Sequence, residues 1–505
     1  MSVEKKHSHA LIFAAFISGL CSIIYELLIA TTASYFLGDS VKFFSLTIGI
    51  YMAAMGVGTL LSKYIEHNIL NHFVRVEIAL ALIGGISVPA LYFAYAYTPY
   101  FIACYLIFTI SIGVLIGLEI PFLTRLMERY FALKINIANI LSFDYFGALL
   151  ATIAFPFMLL PWIGVYQSSL LFGFVNMSVG FVVLHVFVDE ISRRKSLMLV
   201  GVCITLLLVA MIIFANIFLK NWDEALYEDR IIYSKQSKYQ RIILTKDRDD
   251  IRLFLDGNLQ FSSVDEYRYH ESLVHVAFAT TTTPIKRVLL LGAGDGLAVR
   301  ELLKHDIDEV VLVDLDSTIT ELARNNSHLL ALNERSLFAD KVKIINADAF
   351  GFLQDNSRLF DLIIADLPDP NNSGLARLYS KHFYRLAQHN LTSQGLLVTQ
   401  ATSPYYAPYA FWSVANTVQS AGFAHIYPYH VNVPSFGEWG FVLASNAKLN
   451  MKSPHFNVAT RYLSADLIPQ MMKFSKDLQA KDAKINQLDK PIILDYYLGG
   501  WKYYR

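Results

Sequence analysis

The chain has 505 residues, of which 54% are hydrophobic and only 17% are charged, with a formal net charge of zero. Soluble domains carry about a quarter of charged residues, so this composition excludes a wholly soluble, disordered, collagen-like or disulfide-rich protein. A net charge of zero gives no bulk attraction for nucleic acid, which we do not expect as a partner.

Apolar residues are concentrated before Lys220, where the chain holds only 11 of its 42 Lys and Arg residues and 10 of its 42 Asp and Glu residues. A helix of about 20 apolar residues spans a bilayer, and seven such stretches predict a multi-pass transmembrane domain at 1–220. The cell membrane is therefore the expected location and the lipid bilayer an expected partner. The predicted spans are 11–37, 41–62, 74–96, 99–123, 138–160, 163–188 and 197–219.

Four acidic residues fall inside these stretches. Glu77 and Glu119 lie near predicted ends, so we expect them at the interface or paired with nearby arginines. Glu26 and Asp144 lie deeper, and an acid inside a membrane is a functional hypothesis. A cation path and a helix–helix hydrogen bond both stay open, and the hydrogen bond is favoured.

After the apolar part, residues 239–246 and 251–256 are predicted strands of a small antiparallel unit within 221–285. From 286 to 446, short buried runs alternate with helical segments, a pattern typical of a doubly wound parallel sheet. The tail, 447–505, is predicted to be helical over 463–480, with an interruption at Pro469. The five predicted parallel strands are 286–291, 309–313, 341–345, 361–365 and 395–399.

Aromatic residues crowd the end of the tail. We expect them to pack on the neighbouring domain or at an interface. They are Tyr496, Tyr497, Trp501, Tyr503 and Tyr504.

Acidic residues follow four of the five predicted strands within four residues. Because ligands bind beyond the carboxyl ends of the strands in such sheets, these acids predict a binding site. The turn Gly292–Gly296 is followed 18 residues later by Asp314, which suits a carboxylate that holds ribose hydroxyls. The glycine spacing favours a nucleoside sulfonium ligand over NAD. The fold class is therefore a multi-pass helical membrane domain followed by a small antiparallel β unit and a Rossmann-like, methyltransferase-type α/β domain.

Five segments, in this order along the chain, closely resemble the spermidine synthase, or polyamine aminopropyltransferase, family. The apolar part resembles the membrane-integral branch of that family. The segments are LDGNLQFSSVDEYRYHESLVH (255–275), LLLGAGDG (289–296), VVLVDLD (310–316), DLPDP (366–370) and VPSFGEWGFVLAS (433–445).

The resemblance implies transfer of the aminopropyl group of decarboxylated S-adenosylmethionine to putrescine or a similar polyamine, giving spermidine and methylthioadenosine. It implies no metal and no cofactor beyond that co-substrate. Carried over by position, it assigns Gln240 and Asp314 to the nucleoside, Asp348 and Ala349 to the adenine, Tyr269, His270 and Asp295 to the donor and acceptor amines, Asp369 to the diamine and Asp366 to general base catalysis.

Elementary chemistry agrees with these roles. The reacting amine has a pKa of about 10, so it needs a carboxylate to take its proton. The leaving group is a neutral thioether, so no general acid is required. Asp295 would also disfavour ordinary S-adenosylmethionine, which brings a carboxylate of its own toward this acid.

Each assigned residue also has a structural alternative. Asp366 and Asp369 suit a turn, Asp348 suits a helix N-cap, and Tyr269, His270 and Gln240 suit ordinary packing or a strand edge. Asp316 is predicted to cap the following helix rather than to touch a ligand.

The sequence also departs from the family pattern at four places. Ala293 and Ala349 stand where the family has glycine, the loop 369–374 lacks a Gly-Pro pair, and Phe436 replaces a tyrosine.

Two alternative functions stay open at this point: a methyltransferase that uses the intact donor, and a polyamine transporter or sensor without turnover. A homo-oligomer also stays open.

The distribution of basic residues predicts the orientation of the spans. Ten basic residues lie before the first span and in every second loop, whereas the other loops hold only Lys42, and this bias predicts a cytoplasmic N-terminus. Seven spans then put the catalytic domain outside, whereas its substrates predict a cytoplasmic position.

Overall fold

The computed structural model describes residues 3–38, 40–227 and 229–502. The chain divides into two compact units, Met1–Glu228 and Asp229–Arg505. We call the first the helical unit and the second the α/β unit.

Within the described residues, seven helices of the helical unit are long and apolar enough to cross a bilayer. The prediction of seven apolar helices is confirmed. The fifth continues into a π-helical segment, Phe155–Ile163, which contains two prolines; proline lacks the N–H that a regular helix uses. The helices are α1 (Val3–Leu37), α2 (Ser40–Leu61), α3 (Ile69–Tyr97), α4 (Phe101–Met127), α5 (Leu133–Ala154), α6 (Val165–Val186), α7 (Arg194–Ile213) and the shorter α8 (Ala215–Leu226).

The helical unit is apolar on both its inner and its outer faces. Leu28 and Phe122 are fully buried in its core, whereas Met52, Leu150 and Leu206 on α2, α5 and α7 are largely exposed. Exposed apolar surface of this kind marks contact with a membrane or with another protein.

The prediction for Glu77 and Glu119 is wrong. Both are buried inside the helical unit, with exposed fractions of 1% and 0%. Arg125 donates instead to the main-chain carbonyl oxygens of Ser62 and Ile65. The reason is that α3 begins and α4 ends several residues beyond the predicted limits, which places both acids about two turns inside their helices.

The α/β unit begins with a four-stranded antiparallel sheet in the order β1-β2-β3-β4. The two predicted strands are β2 and β3, and the two edge strands were not predicted. The strands are β1 (Arg230–Gln236), β2 (Arg241–Asp247), β3 (Asp250–Leu255) and β4 (Asn258–Ser262).

The second sheet has seven strands in the order β10-β11-β9-β8-β5-β6-β7. The five strands from β9 to β7 are parallel, as predicted. The sequence prediction missed a hairpin of two further strands, which pairs antiparallel with β9. The strands are β5 (Arg287–Gly292), β6 (Glu309–Asp314), β7 (Val342–Asn346), β8 (Phe360–Asp366), β9 (Leu391–Gln400), β10 (His425–Val433) and β11 (Gly437–Ser445).

Helices cover both faces of this sheet and form two buried apolar layers. They are α9 (Glu266–Thr280), α10 (Leu297–Leu302), α11 (Ser317–Asn325), α12 (Ser327–Leu332), α13 (Ala349–Asp355), α14 (Ser373–Ala376), α15 (Lys381–His389), α16 (Pro408–Ser420), α17 (Ile468–Met471) and α18 (Ile492–Trp501).

The predicted tail helix over 463–480 is wrong, because only α17 is helical within that stretch. The chain just before it is held in another conformation by Glu271, whose carboxylate accepts hydrogen bonds from the backbone N–H groups of Arg461, Tyr462 and Leu463.

The aromatic end of the tail packs within the α/β unit. Tyr497 is buried, and the Trp501 ring lies 4.7 Å from that of Tyr406. The predicted residues Tyr503 and Tyr504 lie outside the described part of the chain.

Candidate active site

The carboxyl ends of the five parallel strands meet at one edge of the sheet. Asp314 ends β6, Asp366 ends β8 and Gln400 ends β9. The ladder register places Gly292 directly beside Asp366 on the neighbouring strand. Side chains that are far apart in the sequence are thereby brought to one edge, where parallel sheets bind their ligands.

A tight turn follows β5 and shapes this edge. Gly292 and Gly296 have φ of 84° and 83°, and Ala293 has φ of 61°, a left-handed conformation that costs a non-glycine residue about 1 kcal/mol. A Cβ at Gly292 would lie 2.0 Å from the carbonyl oxygen of Asp366. This glycine therefore allows the turn to approach the end of β8.

Asp314 is fixed by two backbone donors at the end of β6. Its carboxylate accepts from the N–H of Gly294 at 3.0 Å and from the N–H of Asp316 at 2.9 Å. Burial raises the pKa of Asp314 to about 6. A Cβ at Gly294 would lie 2.6 Å from Asp314 Oδ2, so the turn and the acid fit only with glycine there.

Gln240 reaches the same edge from the small sheet. Its Nε2 donates to Asp316 Oδ2 at 3.2 Å, and Ser237 Oγ donates to the same oxygen at 2.6 Å. Asp316 also accepts from the N–H of Thr318, which confirms the predicted cap of α11. Gln240 thus contacts a residue that lies two positions after Asp314, and its contact with a nucleoside stays a prediction.

Asp348 caps α13, the structural alternative raised from the sequence. Its Oδ2 accepts from the N–H of Gly351 at 3.1 Å, and its Oδ1 pairs with Arg377 at 2.6 Å. Ala349 follows as the first helical residue and is buried. Both residues come directly after β7, and their contact with adenine stays a prediction.

Asp366 is half-buried and bonded to Tyr269 of α9. The Tyr269 hydroxyl donates to Asp366 Oδ1 at 2.5 Å. Burial raises the pKa of Asp366 to about 6, although His270 opposes this shift. Burial also raises the pKa of Tyr269, so the tyrosine stays a hydrogen-bond donor while the acid ionises near neutral pH.

His270 is buried beside these acids and is held by its own helix. Its Nδ1 bonds to Glu266 Oε2 at 2.8 Å, and Glu266 also pairs with Arg300 at 2.9 Å. Burial lowers the pKa of His270, but Glu266, followed by Asp295 and Asp366, raises it by more than burial lowers it, so that it reaches about 8. A cationic imidazole therefore lies among several carboxylates.

Asp295 lies in the turn after β5 and accepts from the N–H of Leu297 at 2.9 Å. Burial raises its pKa, and the charge of His270 opposes that shift. Asp295 in turn raises the pKa of Asp366, which shows that the two acids lie within electrostatic reach of each other.

The sequence prediction missed the residues that hold Asp369. Gln400 Nε2 donates to Asp369 Oδ1 at 3.2 Å and to the carbonyl of Leu367 at 2.7 Å. Tyr379 donates to the same carbonyl at 3.0 Å, and Thr402 Oγ1 lies 3.4 Å from Asp369 Oδ2. The available signal was the position of Gln400 at the end of the fifth parallel strand.

The two remaining departures from the family pattern lie close to Asp369 and to Tyr269. In the loop that lacks the Gly-Pro pair, Asn372 caps α14 by accepting from the N–H of Leu375. The Phe436 ring lies 6.3 Å from that of Tyr269, an apolar contact near the acid–tyrosine pair.

Asp366 and Asp369 thus lie beside Tyr269 and Tyr379, and Asp295 lies within electrostatic reach of Asp366. Both Asp366 and Asp369 raise the pKa of each tyrosine, after the larger effect of burial. Such a group of acids attracts and aligns cations, and Asp366 can take a proton from one of them. Fold and site together define a methyltransferase-like α/β domain with an acidic edge.

Comparisons with known proteins identify the family. Residues 266–454 match the Spermine/spermidine synthase domain. A polyamine aminopropyltransferase from Leptospira interrogans is 42% identical over 97% of this chain and 98% of its own length. Another from Oceanobacillus iheyensis is 40% identical over 99% of both. The chain belongs to the polyamine aminopropyltransferase family, a family of enzymes.

Solved structures of spermidine synthases are also similar to part of the chain. One is described as being in complex with the transition state analogue AdoDATO; it is 26% identical and covers 49% of this chain and 88% of its own, with a TM-score of 0.45. A spermidine synthase from Thermotoga maritima is 27% identical, with the same TM-score.

Proposed function

We propose that this enzyme transfers the aminopropyl group of decarboxylated S-adenosylmethionine to putrescine, with Asp366 as the general base. The products are spermidine and methylthioadenosine, and no metal enters the reaction. The observation that carries the proposal is the half-buried Asp366 at the end of β8, bonded to Tyr269 and flanked by Asp295 and Asp369.

The donor lies along the edge formed by β5 and β6 in this proposal. Asp314 holds the ribose hydroxyls, because its carboxylate is fixed at the edge by the N–H of Gly294. Asp348 and Ala349 border the adenine, and Gln240 supports the nucleoside from the small sheet. Asp295 faces the ammonium of the donor.

The acceptor lies between β8 and β9. Asp369, held by Gln400 and Thr402, grips the far ammonium of the diamine. At the near end the ammonium gives a proton to the Asp366 carboxylate, and its nitrogen attacks the carbon next to the sulfonium. The carbon–sulfur bond breaks, its electron pair stays on sulfur, and a neutral thioether leaves. Charge is lost from the sulfonium as the carboxylate is neutralised, so the reaction suits a cleft that excludes water.

A methyltransferase that uses intact S-adenosylmethionine is disfavoured by Asp295. The half-buried Asp295 lies near Asp366, where the carboxylate of the intact donor would meet two negative charges. A transporter or sensor without turnover does not require the acid–tyrosine pair at the end of β8.

Incubation of the purified full chain with the decarboxylated donor and putrescine tests the proposal. Release of methylthioadenosine together with spermidine supports aminopropyl transfer. A methylated product with the intact donor, or binding of putrescine without release of methylthioadenosine, contradicts it.

We further propose that α1 to α7 anchor the enzyme in the cell membrane, with the α/β unit in the cytoplasm, where these metabolites occur. The exposed apolar side chains of α2, α5 and α7 support the anchor. Seven crossings then put the N-terminus outside, against the distribution of basic residues. Protease digestion of sealed, right-side-out vesicles tests this: cleavage of the α/β unit from outside contradicts the proposed side.

A further inference from the structure

Two acids inside the helical unit lie close to each other. Glu77 of α3 and Glu119 of α4 are within hydrogen-bonding and electrostatic reach of one another, and both are buried. Asn176 of α6 donates to Glu77 Oε2 at 3.0 Å, and Ser18 of α1 donates to Glu119 Oε2. Four helices therefore meet at this pair, which we call the Glu77–Glu119 pair.

Each carboxyl group has one oxygen that no other described side chain satisfies. Among the described residues, Glu77 Oε1 and Glu119 Oε1 are buried and have no donor from another residue. Two ionised carboxylates cannot form a hydrogen bond with each other, because neither carries a proton to donate. One proton held between them satisfies both oxygens and removes the repulsion of two buried charges.

Among the described residues, the ionisable groups that act on the pair supply no positive charge in place of that proton. The groups that act electrostatically on the pair come from three neighbouring helices and are neutral or acidic: Cys21 and Tyr25 on α1, Tyr51 on α2 and Asp144 on α5. Asn176, on α6, is uncharged.

Packing near the pair favours a proton over a larger cation. The Tyr25 hydroxyl lies 3.5 Å from Asn176 Oδ1, next to Glu77. A Cβ at Gly84, two turns along α3, would lie 2.4 Å from the Tyr25 ring. Helices α1 and α3 are therefore in close contact beside the pair.

We propose that Glu77 and Glu119 share one proton and form a proton-binding site of the helical unit. This site is separate from the aminopropyl transfer chemistry, and its ligand is a proton. In a bundle that spans a membrane, an acid pair of this kind is suited to take up and release a proton as the helices move.

Infrared spectroscopy of the full chain in detergent at about pH 8 tests the proposal. At that pH the acids of the α/β unit with a pKa of about 6 are ionised, so they add little to the carbonyl band of neutral carboxyl groups. We expect that band in the wild-type chain. Glu77→Gln and Glu119→Gln should each lower it at least about tenfold, because the new amide donates to the remaining carboxylate and stabilises its charge.

Glu26→Gln and Asp144→Asn are matched controls that remove acids from the same unit and should keep the band. Release of methylthioadenosine, which does not involve the pair, reports that the α/β unit of each variant is folded, and the helical content by circular dichroism reports the same for the helical unit. Absence of the band in the wild-type chain overturns the proposal. Its persistence in Glu77→Gln does so as well, because Glu119 would then hold a proton alone. If neither glutamine variant folds, the wild-type chain and the two controls decide.

Discussion

Replacement of Asp366 by Asn tests the assignment of the general base. The amide oxygen of Asn can still accept the hydrogen bond from Tyr269, now 2.5 Å long, so the cleft should keep its shape. The amide cannot take a proton from an ammonium whose pKa is about 10. Removing a general base lowers turnover by about 10² to 10⁴, which corresponds to about 3 to 5 kcal/mol in the activation free energy.

The assay is release of methylthioadenosine at saturating putrescine, with donor binding measured separately by calorimetry. We expect kcat to fall by that factor and the Kd of the donor to change less than about threefold, because Asp314 and the turn after β5 are untouched. Asp361→Asn is a matched control at the other end of the same strand, where the acid accepts from the backbone of Lys286 and Arg287. Turnover of Asp366→Asn within about tenfold of the wild type would refute the assignment.

Three further predictions address pH, the donor edge and stability. Because Asp366 must be ionised and its pKa is about 6, kcat/KM should fall about tenfold per pH unit below that value, and a pH–rate profile that stays flat down to about pH 5 would contradict this. Gly294→Ala should weaken donor binding at least about tenfold, since its Cβ would lie 2.6 Å from Asp314 Oδ2, whereas Gly351→Ala, with 3.7 Å to its nearest neighbour, is the control. At Glu301, burial raises the pKa of the carboxyl group, but buried ion pairs lower it by more, so that it falls from 4.5 to about 2. These ion pairs therefore stabilise the fold fully above pH 4.5, and the stabilisation is lost as the pH falls through about 2. Calorimetry of the full chain should therefore show that Glu301→Gln lowers the free energy of unfolding of the α/β unit by about 3 kcal/mol at neutral pH, and an unchanged unfolding temperature there would count against it.

Buried runs that end in an acid were the most informative part of the sequence. They predicted the five parallel strands and placed Asp314 and Asp366 at one edge, because a doubly wound sheet brings all its carboxyl ends together. The partners of Asp369 could not be found in this way. Gln400 and Tyr379 reach it across 31 and 10 residues, and such distances depend on loop conformation rather than on periodicity.

Two kinds of error have separate physical causes. The stretch 463–480 has helical periodicity, but contacts of Glu271 with the backbone just before and at its start hold the chain in a loop, so tertiary bonds override local preference. The positions of Glu77 and Glu119 were predicted wrongly because hydropathy shows where an apolar stretch lies but not in which direction each side chain points. Their burial follows from the helices that surround them.

The pairing of Gly292 with Asp366 in the ladder of β5 and β8 affects how an enzyme of this family can come to accept a different substrate. In the proposed mechanism, the spacing from the turn after β5, beside the sulfonium compound, to the proton acceptor Asp366 is set by main-chain hydrogen bonding between two central strands. The segment proposed to hold the distal amine, from Asp369 onward, belongs to a connection outside the sheet. Diamines of different length can thus be accommodated by altering that connection, while the distance over which the new carbon–nitrogen bond forms stays constant.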